Sequence, residues 1–475
     1  MFIISLSLLF VPFSAKIAGM TNRFKQIILL ITDWGLLYLA LFLALFLRYR
    51  EVPNSETWQD HWPLFTLIFL IWIGVFFIHE LYNLQKTKND LAFFKSFLTA
   101  VSINVLTAVG FFYIINSPTL SPKTILLLLT AAYIPFFVIF RLVWQYLLGV
   151  SALKNRLLFL GLNNEALELI KLFKNDPQLG YDTVAVIVKP ADPLLNELPA
   201  GIERFHNFTE MLNIVKTKNI DTIVLAMPTT DAQISRLLYE SVLSRINIVN
   251  IDSFYETITH RVPLSALRES WFLENLKEAH RNTYDAAKRV LDVACALVAG
   301  MFFAVIFLPI TFSIWVNDRG SIFYKHTRVG RDGKTFTIYK LRTMIQGAER
   351  NGTQFTKIND PRITRVGKFL RLTRIDELPQ VWNILKNEMS FIGPRPERPE
   401  FVSELEKMMP YYNARHLIKP GLTGWSQVNY GYADSLENNL IKLQYDLFYI
   451  KNRSLLLDGV ILLKTVKTVA KWLGR

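Results

Sequence analysis

Val293 to Val316 reads VACALVAGMFFAVIFLPITFSIWV, 24 residues that are apolar except for Thr311 and Ser313. As a helix, a run of this length can cross the ~30 Å hydrocarbon core of a bilayer. Two features argue for another path. Pro309 lies inside the run and removes a helix hydrogen bond, which favours a kink. Lys288 and Arg289 precede it, and Arg319, Lys325 and Arg328 follow. Lysine and arginine stay on the cytoplasmic side, so both ends belong there. A helix over 284–319 that enters, bends at Pro309 and returns meets both conditions. An ordinary fifth span is the alternative. The chain's one cysteine, Cys295, also falls in this run. It excludes a disulfide within one chain and a zinc cluster built from cysteine. Seven histidines show no HxH or HxxxH spacing. A hard cation held by carboxylates and phosphates is still compatible.

Upstream, the 475-residue chain carries 51% apolar and 19% charged residues, a balance that calls for membrane spans. Four runs fit: Gln26–Leu47, Trp62–Leu81, Phe97–Ile115 and Thr124–Leu148. In lipid the backbone must bond to itself, so each is expected as a helix of a bundle over 20–150. Arg141 interrupts the fourth and is expected near its cytoplasmic end. Arg23 and Lys25 before the first run, Lys86, Lys88 and Lys95 between the second and third, and Lys154 and Arg156 after the fourth put both ends of the bundle inside. Arg48 and Arg50 dissent, offset by Glu51, Glu56 and Asp60. Residues 1–19 read either as a signal-like segment or as an extension ahead of a natural start at Met20.

Between these membrane parts, 151–252 alternates buried strands with helical spacing and implies a parallel α/β sheet. Its first turn, Gly161-Leu-Asn163-Asn-Glu-Ala166, has glycine at one of the three positions of a dinucleotide turn. A scaffold role and nucleotide binding both stay open. Residues 253–283 read as a linker.

Downstream, 320–375 holds thirteen Lys or Arg against three Asp or Glu, an excess of ten in a chain of net charge +14. A membrane-anchored chain offers no groove-reading element for nucleic acid, so anionic lipid heads or substrate phosphates are the expected partners. Lys340, Arg328, Arg342 and Arg371 are the phosphate-binding candidates. Next comes Arg374-Ile-Asp376-Glu377-Leu378-Pro-Gln380, with Leu378, Val381, Trp382 and Leu385 at i, i+3, i+4 and i+7. This predicts an amphipathic helix with Asp376 at or just before its N-cap. A simple capping pair is one reading. The other is a nucleophilic carboxylate whose pKa is pushed down by the neighbouring arginines.

Five stretches carry a family likeness. They are Phe323-Tyr-Lys-x-Thr-Arg-Val-Gly-Arg331, Phe336-Thr-Ile-Tyr-Lys-Leu-Arg-Thr-Met344, Asp376-Glu-Leu-Pro-Gln380, Ser390-Phe-Ile-Gly-Pro-Arg-Pro396 and Lys419-Pro-Gly-Leu-Thr-Gly-Trp425. In this order, 284–475 resembles the bacterial sugar transferases, the monotopic polyprenyl-phosphate hexose-1-phosphate transferases. With the four spans and the degenerate nucleotide fold, the whole chain resembles the large members that start exopolysaccharide, capsule or O-antigen repeats. The resemblance implies that Asp376 attacks the sugar-bearing phosphate of a UDP-sugar, glucose or galactose foremost, and releases UMP. Undecaprenyl phosphate then takes the sugar phosphate. It also implies that Glu377 holds Mg²⁺, that Arg371 faces a substrate phosphate, and that Pro394, Arg395, Pro396 and Glu397 lie near the nucleotide. Leu308, before Pro309, departs from the family, which often has a small hydroxyl residue there.

The expected fold is a membrane protein with four transmembrane helices, a Rossmann-like α/β domain, and an α-rich catalytic domain (320–475) on a re-entrant membrane helix (284–319) bounded by Lys288 and Arg289 and kinked at Pro309. Leu455–Trp472, with Lys464, Lys467 and Lys471, is expected to lie in the interface. The expected location is the bacterial inner membrane with the catalytic domain cytoplasmic; a homo-oligomer is left open. Two competing readings remain. One is an NAD-dependent sugar epimerase or dehydratase using Tyr284-x-x-x-Lys288, a spacing best explained by coincidence so far from the α/β pattern. The other is a lipid-binding scaffold without activity.

Overall fold

Four helices come first: α1 (Asn22–Tyr49), α2 (Ser55–Ile78), α3 (Leu91–Ile115) and α4 (Pro122–Gly149). Each is long and apolar enough to cross a membrane, and so is a fifth helical stretch at 283–317. The chain is a membrane protein. This computed structural model describes residues 22–84, 90–115, 122–149, 154–228, 231–243, 246–276, 282–348, 360–409, 411–430 and 436–470. The 1–19 extension, Lys86, Lys88, Lys471 and Trp472 lie outside the described residues. Two units divide the chain between Ile258 and Thr259.

In the first unit, aromatic rings fill the space between helices. Phe97 stacks on Phe137 at 3.9 Å, and Phe76 on Tyr133 at 5.8 Å. Arg141, in the last third of α4, faces the bundle interior. It is 2% exposed and donates to Asp33 Oδ2 of α1 at 2.8 Å, with its guanidinium 4.7 Å from the Phe137 ring. A buried arginine requires such a partner, because leaving either charge alone in this interior is costly.

After α4 come β1 (Asn155–Leu160), α5 (Asn164–Asn175), β2 (Tyr181–Ile187), β3 (Glu203–Phe205), α6 (Met211–Thr217), β4 (Thr222–Leu225), α7 (Ala232–Leu243), β5 (Asn247–Asn250) and α8 (Ile251–Thr259). The strands are all parallel in the order β3-β2-β1-β4-β5, which makes this the expected α/β sheet. Leu157 and Phe159 face one core, Leu158 and Leu160 the other, so both faces of β1 are covered. Lys25 at the start of α1 is fully buried and donates to the Leu179 carbonyl at 3.1 Å. The first span therefore starts against the α/β sheet.

The second unit absorbs much of the expected linker. Val262, Ala266 and Trp271 are buried in its core beside Met409 and Tyr412, and α9 (Glu269–Asn275) lies in this stretch. Next is α10 (Asn282–Asp318), one continuous helix with Pro309 inside. Then follow the antiparallel hairpin β6 (Phe323–Val329) and β7 (Thr335–Leu341), α11 (Arg365–Thr373), α12 (Val381–Leu385), β8 (Ser390–Ile392), α13 (Pro399–Met408), β9 (Gly421–Thr423), α14 (Trp425–Asn429), α15 (Leu436–Asn452) and α16 (Leu455–Ala470).

This unit grips α10 along its whole length. Tyr284 donates to Asp458 at 2.9 Å, and Arg289 to the Ile384 and Leu385 carbonyls at 2.6 and 2.9 Å. Ala296 packs with Val381 and Ile384, and Ile314 with Leu341 and Leu370. The other face of α10 exposes Leu297, Met301, Val305, Leu308, Phe312 and Trp315. An apolar strip of this extent on a folded unit requires lipid or another apolar cover.

Breaking the bundle's ion pair from one side strands a charge. Asp33→Leu or Arg141→Met alone should each cost about 3–5 kcal/mol, while the double variant recovers most of the loss. Thermal unfolding of the detergent-solubilised chain measures both; equal loss in all three variants would show that the pair is not the cause.

Candidate active site

The local backbone decides where the two acids go. Thr364 caps α11, its Oγ1 accepting from Gly367 N at 2.9 Å. The helix ends at Arg374, which adopts φ +59° and ψ 14°. A non-glycine residue in this left-handed region is strained and reverses the chain sharply. The turn that follows, Ile375–Gln380, is a 3₁₀ helix leading into α12. Asp376 is thus the second residue of a 3₁₀ turn and not the N-cap expected for it. With three residues per turn instead of 3.6, the apolar register slips. Trp382 is 56% exposed, while Val381, Asn383 and Ile384 are buried.

Asp376 and Glu377 are both buried, yet their surroundings differ. Glu377 Oε1 accepts from Lys340 Nζ at 2.6 Å and from Arg395 Nη2 at 3.1 Å. Its Oε2 lies 3.6 Å from Arg374 Nη1. Burial raises the Glu377 pKa, but Lys340, Arg395 and Arg374 outweigh it and hold the carboxyl well below its usual range. Asp376 has no hydrogen bond or ion pair among the described residues, and its Oδ1 is buried without a partner. Burial and then the Glu377 charge push its pKa up to about 6, against the pull of Lys340, Arg371 and Arg374. The expected downward shift is overturned, because burial and the adjacent Glu377 charge outweigh the pull of these cations. At pH 7 the carboxyl is still about nine-tenths ionised.

Of the phosphate-binding candidates, Lys340 and Arg371 converge on this pair. Arg371 Nε donates to Thr343 Oγ1 at 2.8 Å, fixing the guanidinium beside Asp376. Arg328 instead donates to the Pro396 carbonyl at 3.2 Å and faces Glu397 at 3.8 Å. Arg342 packs its guanidinium against Gly320 at the exit of α10. Arg374 completes the cluster; the sequence reading left it out of the site, although it stands two residues before Asp376.

The turn Gly393–Glu397 delivers Arg395. A Cβ on Gly393 would collide with the Lys419 carbonyl, and one on Gly421 with Gly393 itself, so only glycine allows the two loops to meet. Gly393 N donates to Thr423 O at 2.9 Å, and Gly421 N to Pro394 O at 2.9 Å. Arg415, missed at the sequence level, donates to the Arg395 carbonyl at 3.0 Å and to Asp446 Oδ2 at 2.8 Å. Burial would raise Glu397, but Lys442 and Arg415 outweigh it and bring the carboxyl down to about 2. Among the described residues no three His, Cys, Asp or Glu side chains gather as a metal cage. The two acids at this site can hold a hard cation only with help from substrate oxygens, as Mg²⁺ commonly binds.

The remaining candidates fall elsewhere. Tyr284 and Lys288 both bind Asp458 Oδ2 at 2.9 Å, so this pair serves the α10–α16 junction of the second unit. In the α/β sheet, Asn163 Oδ1 caps α5 by accepting from Ala166 N at 2.8 Å, and Met227 crowds Gly161. A side chain fills the helix end that a pyrophosphate would use.

Asp376, Glu377, Lys340, Arg371 and the Gly393–Glu397 turn all fall in 283–472, which matches the family profile described as bacterial sugar transferase. A protein of Sinorhizobium fredii named exopolysaccharide production protein ExoY is 34% identical over 215 residues, covering 42% of this chain and 92% of that protein. The chain belongs to the bacterial sugar transferase family. Another relative of this sugar transferase is the Aeromonas hydrophila UDP-N-acetylgalactosamine-undecaprenyl-phosphate N-acetylgalactosaminephosphotransferase, 39% identical over 239 residues. That match covers 50% of this chain and 56% of the Aeromonas protein. The UDP-glucose:undecaprenyl-phosphate glucose-1-phosphate transferase of Klebsiella pneumoniae is 26% identical over 95% of both chains. Residues 77–251 match a second profile, described as a CoA-binding domain.

A bare buried carboxylate costs the sugar transferase stability. The folded-state pKa of about 6 lies above the ordinary 3.8, so at neutral pH folding buries, still ionised, a carboxyl whose site favours the neutral acid. Asp376→Asn should therefore gain about 1–3 kcal/mol at pH 7.5. The gap should close as pH falls from 6 toward 4, where the parent carries the proton as well. Thermal unfolding across that range tests this; a variant less stable at every pH contradicts it.

Proposed function

We propose that this protein transfers a sugar 1-phosphate from a UDP-sugar to undecaprenyl phosphate and releases UMP, as the first step of exopolysaccharide, capsule or O-antigen synthesis. The observation that carries the reading is the unbonded, buried Asp376 carboxylate set beside a cation cluster that its neighbour holds in place. An Asp376 oxygen attacks the sugar-bearing phosphorus. The bond from that phosphorus to the bridging oxygen breaks, and UMP leaves with the electron pair. The product is an aspartyl phosphosugar. A phosphate oxygen of the polyprenyl phosphate then attacks the same phosphorus, and the carboxylate leaves unchanged. Splitting the transfer in this way predicts ping-pong kinetics.

Each neighbour has a part. Arg371, Arg374 and Arg395 can meet the charge of the diphosphate, and arginine forks suit phosphate oxygens. Lys340 keeps Glu377 ionised and fixed. Glu377, whose Oε2 has among the described residues the 3.6 Å Arg374 contact alone, would hold Mg²⁺ together with substrate oxygens. Bound there, Mg²⁺ would offset the negative charge of the diphosphate.

The same reading places the unit at the cytoplasmic face of the bacterial inner membrane. Support comes from α10, which meets the unit at Tyr284, at Ala296 and at Ile314. A straight crossing would carry those points to opposite sides of a ~30 Å core. A helix that dips in, kinks at Pro309 and returns keeps all three on one side. Exposed Leu456, Leu463 and Val466 on α16 would lie in the same interface. The curated relatives named for glucose and for N-acetylgalactosamine supply the first two sugars to try.

Four measurements follow. With UDP-sugar and no acceptor, intact-mass analysis should show one added sugar phosphate, lost in Asp376→Asn; no adduct under turnover conditions rejects the mechanism. The acidic limb of kcat/KM should fall tenfold per pH unit below a midpoint near pH 6, where Asp376 takes up its proton; a flat profile from pH 5 to 7 contradicts it. EDTA should abolish UMP release and Mg²⁺ restore it. In a Cys295→Ala background, a cysteine placed at Asn317 should react with impermeant reagent from the cytoplasm alone; labelling from the periplasm alone refutes the re-entrant path.

A further inference from the structure

We propose that a cationic cavity at the N-terminal mouth of α10 binds the phosphate of a membrane lipid headgroup, apart from the Asp376 site. The cavity measures about 60 Å³. Lys288, Arg289, Arg331, Lys419 and Arg453 line it, against the carboxylates of Asp285 and Asp292. Both acids are engaged. Asp285 pairs with Arg453 at 2.9 Å, and Asp292 Oδ1 accepts from Ser390 Oγ and Phe391 N at 3.0 Å each. Lys288 is matched by Asp458 at 2.9 Å.

Arg289 and Lys419 make no ion pair among the described residues, and Asp292 and Asp285 act on Lys419 only from a distance. Among the described residues, Arg289 donates only to the Ile384 and Leu385 carbonyls, and Lys419 only to Asn387 Oδ1 at 2.5 Å. Burial, then the nearby Arg289 charge, lowers the Lys419 pKa. Arg331 has one loose partner, Asp332 at 3.6 Å, and a 42% exposed side chain free to turn inward. Like charges crowded in a half-enclosed space favour an anion between them. A phosphate carries one or two negative charges and enough acceptor oxygens for Arg289, Lys419 and Arg331 together.

Position separates this cavity from the reaction site and selects a lipid. Arg289 caps the C-terminal end of the helical run 375–385, while Asp376 is the second residue of that run. The two ends are roughly 15 Å apart by helix rise. The residues directly after Arg289, Val290 and Leu291, are 69% and 51% exposed, and they begin the apolar face of α10. A phosphate held at this mouth can lay its acyl or prenyl chains along that face. A free phosphate gains nothing from it. Nothing in this proposal requires Asp376 to be the nucleophile.

The test uses the full chain in neutral detergent, titrated with dioctanoyl phosphatidic acid, undecaprenyl phosphate or inorganic phosphate and followed by thermal stability. Both lipids should stabilise the protein at midpoints well below that of inorganic phosphate. Lys419→Gln and Arg331→Gln should each weaken the lipid midpoint about fivefold, the effect of ~1 kcal/mol per charge. Lys419→Arg should retain binding, and so should Asp376→Asn. Should Lys419→Gln fail to fold, the more exposed Arg331→Gln still decides. Undecaprenyl phosphate binding tighter than phosphatidic acid, with the same dependence on both residues, identifies the bound lipid as the polyprenyl one. Three results overturn the proposal: midpoints unmoved by both glutamine variants, inorganic phosphate binding as well as the lipids, or loss of the lipid effect in Asp376→Asn.

Discussion

Two carboxylates on adjacent residues cannot both be stabilised by the same few cations, and the second unit resolves this by serving one of them. Glu377 is longer by a methylene and reaches Lys340 on β7 and Arg395 on its turn. Asp376, on the shorter stem, stays behind, buried beside the same cations but with no bond to its Oδ1. Reversed roles would give a firmly paired aspartate. The proposed function needs a carboxylate that is ionised yet uncommitted, and partial neglect leaves Asp376 in that state. The left-handed Arg374 is the hinge of the arrangement, since the chain reverses there and the turn that follows buries both acids.

Three separate segments must therefore be held in register. The hairpin β6–β7 positions Lys340, the α11 end positions Arg371 and Arg374, and the Gly393–Glu397 turn positions Arg395. The last is the least regular and the most heavily tied. Its backbone exchanges hydrogen bonds with 421–423, its carbonyl at Arg395 is held by Arg415, and Glu397 is clamped by Lys442. Arg415 is itself buried and paired with Asp446, which also accepts from Ser426 at 2.6 Å. A loop that carries a charged group into a buried site is bound here by charge and backbone, where a helix would rely on its own ladder.

Period and composition made the coarse plan legible. Long apolar runs announced the bundle, strand-length runs between turn signals announced the parallel sheet, and the dense arginine stretch marked where phosphate chemistry belongs. Errors arose where local geometry overrides pattern. The 3₁₀ turn at 375–380 is invisible to a 3.6-residue count, so Trp382 was given to the wrong face. The sign of the Asp376 shift depends on its burial and on the adjacent Glu377 charge, and a linear sequence does not show the burial. Arg342 and Arg328 look identical to Arg371 in sequence, yet only Arg371 has Thr343 to aim it at Asp376. Residues 253–283 lack strong periodicity, so nothing in them advertised that Trp271 packs into a core.

Buried charge recurs in this molecule in three balances, and the balance indicates the role. In the bundle, Asp33 and Arg141 match one to one at 2.8 Å among aromatic rings. This one-to-one match fixes how α1 meets α4. At the acid pair, one carboxylate is oversupplied and the other undersupplied, which leaves Asp376 raised in pKa and unbonded at Oδ1. At the mouth of α10 the surplus has the opposite sign, with Arg289 and Lys419 holding only neutral oxygens. An uncompensated buried charge is costly unless it is neutralised or gains a partner. In the two proposals that partner is an electrophilic phosphoryl group at the first unbalanced place and an anionic headgroup at the second.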